Sequence, residues 1–265
     1  MKKLGYIFCI SILGLSSCKK QSLKVDDYSE TRHTIRFYME LSTITECIGN
    51  YFNGSEVELF QSNSDADSAT LDSIYLPSGP FNNDGRERFG DVLITHYGLS
   101  TDSATVFSVS TNYYRDSLQI EANFQYFNTS TPGTYRFQGT LTFTYITGLQ
   151  ATFQFNMSNV FLAGNATFPK GFYYLYGDFE ATDSDGAAFS AEIKTPLRSY
   201  ECNNYGSDND SYYKRTYLEN GMVSLTTSKQ GTGELWFGYN DICDTYCVVL
   251  WKEKDIQLNI DMVNY

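Results

Sequence analysis

Two hydrophobic periods divide this chain. From Ser29, apolar and small residues recur at Ile35, Tyr38, Met39, Ser42, Thr45 and Ile48, with Phe37, Leu41 and Ile44 beside them. That spacing predicts one amphipathic helix with a broad stripe. Ser29 serves as its N-cap, Glu30 falls in the first turn, and Gly49-Asn50 supplies a stop. Ile35, Phe37, Met39 and Leu41 also alternate, the pattern of a strand, and the length of the stretch decides for the helix.

Beyond Asn53 the period falls to two. Val92, Ile94 and His96 alternate with Asp91 and Thr95, and Leu118, Ile120, Ala122, Phe124 and Tyr126 alternate with Gln119, Glu121, Asn123 and Gln125. The pattern returns in Leu141 to Tyr145, Ala151 to Met157, Ala187 to Ile193 and Ile256 to Met262. Each is a half-buried strand. Turn clusters separate them at Thr131-Pro132-Gly133, at Asp183-Ser184-Asp185-Gly186 and from Lys252 to Asp255. Short turns between successive strands predict antiparallel hairpins: a mainly β fold, a meander closing into a sandwich or open barrel, with the one helix packed on it. Ser62 to Ser73 and Asn203 to Ser211 are polar and read as exposed, mobile loops. Since no long Pro/Gly/Ser linker separates two cores, residues 29–265 count as a single domain.

Ahead of the helix, Lys2 and Lys3 precede an apolar stretch from Leu4 to Leu15, the charged and apolar regions of an export signal. It is too short to span a bilayer. The stretch closes in Leu15-Ser16-Ser17-Cys18, which resembles a bacterial lipobox, where small residues admit a peptidase before a cysteine that becomes acylated. The competing reading is an ordinary secretory signal. The resemblance implies a signal peptide over 1–17, lipid (palmitate among it) on Cys18, and a polar tether over 18–28. Several acyl chains on one cysteine hold a protein at a membrane in practice permanently. The expected place is the outer membrane. Its periplasmic and surface faces stay open, because Lys19 is not the aspartate of inner-membrane retention, while Asp26, Asp27 and Glu30 lie far from Cys18 for a surface-export signal.

Composition adjusts this picture in two ways. Tyr and Phe number 22 and 19, which favours sheet. The formal charge of −12 leaves no basic face for phosphates, so nucleic acid is excluded as a partner.

Asn83-Asp84-Gly85-Arg86-Glu87-Arg88-Phe89-Gly90, the run from Asp185-Gly186 through Ile193-Lys194-Thr195-Pro196-Leu197 to Cys202, and Phe237-Gly238-Tyr239-Asn240-Asp241-Ile242-Cys243-Asp244 together resemble a lipoprotein family of the Bacteroidota type. The third segment departs from that family's pattern, with Tyr239, Asn240 and Ile242 replacing a tight glycine turn. The resemblance implies an N-terminal helix against an antiparallel sheet and implies no activity.

Four cysteines remain in the exported body: Cys47, Cys202, Cys243 and Cys247. Outside the cytoplasm disulfides are the default. In one strand, Cys243 and Cys247 would lie about 13 Å apart, too far for a bridge, so the preferred pairs are Cys202 with Cys243 and Cys47 with Cys247, among three connectivities. Zinc is a weaker reading, since Cys-x-x-x-Cys is not the usual spacing and neither His33 nor His96 is nearby in sequence. Asp183-Ser184-Asp185-Gly186 offers oxygens to calcium but reads better as a hairpin turn. His96 shares parity with Val92 and Ile94 and reads as a core histidine.

No Gly-x-Ser-x-Gly elbow, His-Glu-x-x-His pair or phosphate loop occurs, so no catalytic residue, metal or cofactor is assigned. Asp67-Ser68-Ala69, Asp72-Ser73-Ile74, Asp102-Ser103-Ala104 and Asp116-Ser117-Leu118 resemble bacterial O-glycosylation acceptors in turn-like stretches, making Ser68, Ser73, Ser103 and Ser117 candidate sites. The expected function is a non-catalytic envelope lipoprotein, structural or ligand-binding, with a glycan or an envelope protein as partner besides the membrane. The alternative is a surface glycan hydrolase using paired carboxylates.

Overall fold

The computed structural model describes residues 28–52, 61–63, 71–76, 80–81, 86–96, 106–129, 131, 133–162, 172–203, 214–238, 246–254 and 256–261. The signal and tether residues 1–27 lie outside them. Helix α1 (Ser29–Phe52) runs two residues past the expected Gly49-Asn50 stop. An interior glycine costs only about 1 kcal/mol against alanine, too little by itself to end a helix.

Fourteen strands follow among the described residues: β1 (Gln61–Asn63), β2 (Leu71–Leu76), β3 (Pro80–Phe81), β4 (Arg86–His96), β5 (Val106–Arg115), β6 (Leu118–Asn128), β7 (Thr134–Tyr145), β8 (Gln150–Leu162), β9 (Phe172–Asp183), β10 (Ala188–Asn203), β11 (Lys214–Thr227), β12 (Gly231–Phe237), β13 (Tyr246–Trp251) and β14 (Ile256–Asp261). From β4 to β14 every strand pairs antiparallel with its chain neighbours; β2 and the short β3 both pair with β4. The expected meander is present, and it does not close on itself. Two segments differ from expectation. The ends of Ser62–Ser73 belong to β1 and β2, and Asn203 is the last residue of β10. There, β-ladder pairing with β4 and β11 overrides a polar composition.

The sheet curls around the helix. Side chains of α1 meet β5 through Glu40 and Tyr113, β7 through His33 and Tyr145, β8 and β9 through Phe37 with Phe153 and Phe179, β10 through Ser42 and Ser199, and β12 through Tyr38 and Phe237. Just ahead of the helix, the Tyr28 ring packs at a tilt against Trp251 of β13. A flat sheet from β5 to β13 would be about 38 Å wide at strand spacing, whereas a helix is about 10–12 Å across. Only a wrapped sheet reaches it from so many strands. The buried positions of α1, from Glu30 to Thr45, accordingly cover about 220° of the helical wheel at 100° per residue, far more than a surface stripe.

Two bare positions on the concave face make room for the curl. A Cβ on Gly139 would fall 2.4 Å from the Phe124 Cβ, and one on Gly177 2.8 Å from the Met157 Cα, at a backbone φ of 122° that side chains disfavour. Glycine at such points lets adjacent strands crowd and the sheet bend. Inside, Phe37 packs between Phe153 and Phe179 at 4.7 and 4.6 Å between ring centres, and the barrel is filled by its own aromatic side chains.

The two ends differ. The tight turns β5–β6, β7–β8, β9–β10, β11–β12 and β13–β14 gather at the end where α1 begins, as the register and the contacts of Glu30, His33 and Tyr28 fix. The longer connections after β6, β8, β10 and β12 leave from the other end.

Candidate functional site

Because the interior is full, the accessible chemistry lies on the convex face. Strand alternation that turns Phe124, Phe153 and Phe179 inward turns their neighbours outward, and the register lines those up across strands. One row runs Ser110, Asn123, Thr140, Gln154, Glu180, Ser190, Thr226 and Thr232 from β5 to β12. A parallel row runs Ser108, Gln125, Gln138, Asn156, Asp178, Glu192, Ser224 and Glu234. Each spans about 34 Å along the arc at strand spacing. Amides and hydroxyls dominate, offering donors and acceptors in alternation.

Two shallow depressions lie in these rows. One, of about 430 Å³, is lined by Ser108, Asn123, Gln125 and Gln138. The other, of about 550 Å³, is lined by Thr152, Gln154, Glu180, Thr182, Ser190 and Thr226. Flat aromatic surface lies elsewhere on the same face, toward the start of α1: Phe89 and Tyr114 are 45% and 38% exposed and stack with ring centres 5.2 Å apart, 13° from parallel. Trp236 is exposed on the same face and donates from Nε1 to Glu234 at 3.1 Å. The Lys252 ammonium holds the Glu234 carboxyl below its usual range. Asp178 and Glu192 stand directly opposite each other, and Glu192 is ion-paired with Lys194.

Two polar clasps between helix and sheet hold this face in shape. Deep in the barrel the Glu40 carboxylate accepts from the Tyr113 hydroxyl at 2.7 Å and is bonded by the Arg115 guanidinium. Toward the start of α1, His33 Nδ1 and the Tyr145 hydroxyl share a hydrogen bond of 2.7 Å, with Arg36 5.1 Å from the centre of the tyrosine ring. Burial, reinforced by the charge of Arg36 and opposed by Asp183, lowers the His33 pKa to about 4. Burial raises that of Tyr145. At neutral pH both partners are uncharged and the clasp is a neutral hydrogen bond.

Of the residues singled out from sequence, Cys18, Ser68, Ser103 and Cys243 lie outside the described residues. Ser117 is exposed in the β5–β6 turn, as expected of an acceptor. Ser73 instead lies within β2, paired between Asn63 and Leu93, because the flanking Leu71, Ile74 and Leu76 favour a strand over the turn expected from Asp72. Cys47 lies in α1, Cys202 in β10 and Cys247, fully buried, in β13; no disulfide is seen among the described residues. The Asp183 carboxylate accepts from the backbone N–H groups of Asp185 and Ala187 at 3.0 and 2.9 Å, so it closes the β9–β10 turn, as the hairpin reading requires. The backbone of His96 pairs with Phe107 in the β4–β5 ladder.

Sequence reading missed the clasps, whose members are 75 and 112 residues apart, and it missed the cross-strand rows. The only signal for the rows was the polar half of each alternation. Comparison of the chain with protein-family models, with curated proteins and with solved structures finds no match.

Proposed function

We propose that this chain is a non-catalytic lipoprotein of the bacterial cell envelope, held at the outer membrane by acylated Cys18, whose convex sheet face binds a neutral glycan. One observation carries the binding half: rows of amides and hydroxyls eight strands long, sharing their face with flat exposed aromatics, on a body whose interior is already filled. Sugars are recognised by such a combination, hydrogen bonds to hydroxyls and aromatic surface against ring faces. The carboxylates among them, Asp178, Glu180 and Glu192, disfavour an acidic polymer. The lipobox at Leu15-Ser16-Ser17-Cys18 and the resemblance to Bacteroidota-type lipoproteins support the place, and no described helix is long and apolar enough to cross a membrane.

The test is binding of the purified chain to an array of neutral polysaccharides. Retention on at least one of them, lost in Gln154→Ala with Tyr114→Ala, is expected; an array with no signal overturns the binding role. Cys18→Ser abolishing palmitate incorporation and membrane partitioning is the matching expectation for the anchor.

The cross-strand pair Asp178 and Glu192 favours one second reading, a glycan hydrolase. Directly opposed residues hold their Cβ atoms about 5 Å apart, and carboxylates kept at that separation suit a retaining mechanism. Turnover of a polysaccharide that disappears in Asp178→Asn would replace the non-catalytic reading.

A further inference from the structure

The end of the barrel at which α1 begins carries one apolar tip. The β7–β8 turn is closed by Gly148 N–H donating to the Tyr145 carbonyl at 2.8 Å and Tyr145 N–H donating to the Leu149 carbonyl at 2.9 Å. Gly148 takes the left-handed conformation at φ 83°, so the turn is tight and its side chains are aimed outward by the backbone. Ile146 is 84% exposed and Leu149 50% exposed. Turns ordinarily carry Gly, Asn, Asp, Ser or Pro. The neighbouring turns at this end obey that rule, with Asp116-Ser117, Ser184-Asp185 and Ser228-Lys229. Ile146 and Leu149 are the exception, and packing does not explain them.

Their position supplies a reason. Tyr145, the residue before Ile146, is bonded to His33 one turn into α1, so the tip stands beside the point where the chain enters the fold. Only nine residues, ten steps of backbone, lie between Cys18 and Tyr28. Fully extended they reach about 35 Å, and as a flexible coil they average about 17 Å. A lipid on Cys18 therefore keeps this end of the barrel, and not the end with the long connections, within reach of the bilayer.

We infer that the β7–β8 tip docks on the lipid surface, with Ile146 and Leu149 entering the boundary between headgroups and acyl chains and fixing the orientation of the barrel. This rests on the lipid-anchor reading above. Large apolar side chains favour that boundary. Exposed charges on the neighbouring turns oppose one another, with Lys229 and Lys252 against Asp116, Asp185 and Glu253, so docking depends on apolar contact and not on anionic lipid. The strands then stand upright on the membrane with the convex rows running parallel to its surface, and the end with the long connections points away from it.

The test uses the full, lipidated chain in vesicles of phosphatidylethanolamine and phosphatidylglycerol whose acyl chains carry bromine, a quencher of indole fluorescence. Ile146→Trp places an indole at the tip, and Thr131→Trp places one at the opposite end. The emission that Ile146→Trp adds to wild type is expected to shift to the blue and to be quenched, while that of Thr131→Trp is not. Hydrogen exchange of the 146–149 amides is expected to slow roughly tenfold in vesicles relative to detergent, and Ile146→Ser with Leu149→Ser abolishes the slowing. If the chain stays with the vesicles but the tip indole is unquenched and its exchange unchanged, docking is overturned and the anchor stands. If the chain does not stay with the vesicles, both readings are overturned together.

Discussion

Glu40→Gln is the most informative single change in this protein. It keeps the shape and the acceptor for Tyr113 and removes only the charge facing Arg115. The carboxylate and the guanidinium are 0% and 2% exposed, so water cannot replace the lost partner. A contacting pair at an effective dielectric near 20 gains about 4 kcal/mol, and breaking a buried pair by deleting one member typically costs about 3–5 kcal/mol. The expected loss in Glu40→Gln and in Arg115→Met is therefore about 3–5 kcal/mol each. Glu40→Leu adds about 1–3 kcal/mol for the stranded Tyr113 hydroxyl. The double variant Glu40→Leu with Arg115→Met leaves no charge at this site and is expected to cost less than either single change. Urea unfolding followed by fluorescence, with the fully buried Trp251 as reporter, completes the cycle. Single changes that each cost less than about 1 kcal/mol, or that simply add, would refute the claim that one buried ion pair ties α1 to β5.

Other outcomes follow from the same geometry. With the His33 pKa lowered to about 4, the unfolded chain takes up a proton that the folded chain refuses. Stability is therefore full above pH 6.5 and declines as pH falls toward 4, by about 3 kcal/mol in all; urea midpoints measured across that window are expected to lose this part of their slope in His33→Gln. Gly177→Ala meets both a disfavoured φ and the Met157 backbone and is expected to cost about 2 kcal/mol or more, whereas Gly186→Ala, with open space around it, costs about 1–2 kcal/mol; thermal melts compare the two. The Tyr38 hydroxyl is buried with no partner among the described residues, so Tyr38→Phe is expected to stabilise by about 1 kcal/mol in the same melts. Phe37→Ala, at the centre of the ring cluster, is expected to cost about 3–5 kcal/mol by urea titration.

Much of this fold was legible as pattern. The helix declared itself through its stripe, and β6 and β8 through clean alternation, because one face of each meets the core and the other meets water. β13 gave no such signal: Cys247, Val248 and Val249 are all buried, and a strand covered on both faces has no period to read. β9 hid in the same way behind Phe172, Tyr173 and Tyr174, consecutive aromatics that blur the faces. The stripe on α1 was read as one side of a helix lying on a sheet. Burial of Glu40, Thr34 and Ser42 became intelligible only with strands on several sides of it. Partnerships such as Glu40 with Arg115 join positions whose proximity the curl creates, and nothing local encodes them.

The sequential pairing from β4 to β14 bears on how such a body is assembled. In a chain made from its N-terminus, α1 is complete before any strand exists, and each later strand needs only the one before it as a template and α1 as a mandrel. Growth by short loop closures avoids the slow search that distant strand pairings impose. It also means that a hairpin can be gained or lost at the trailing edge without re-threading what precedes it, a freedom a closed barrel does not have.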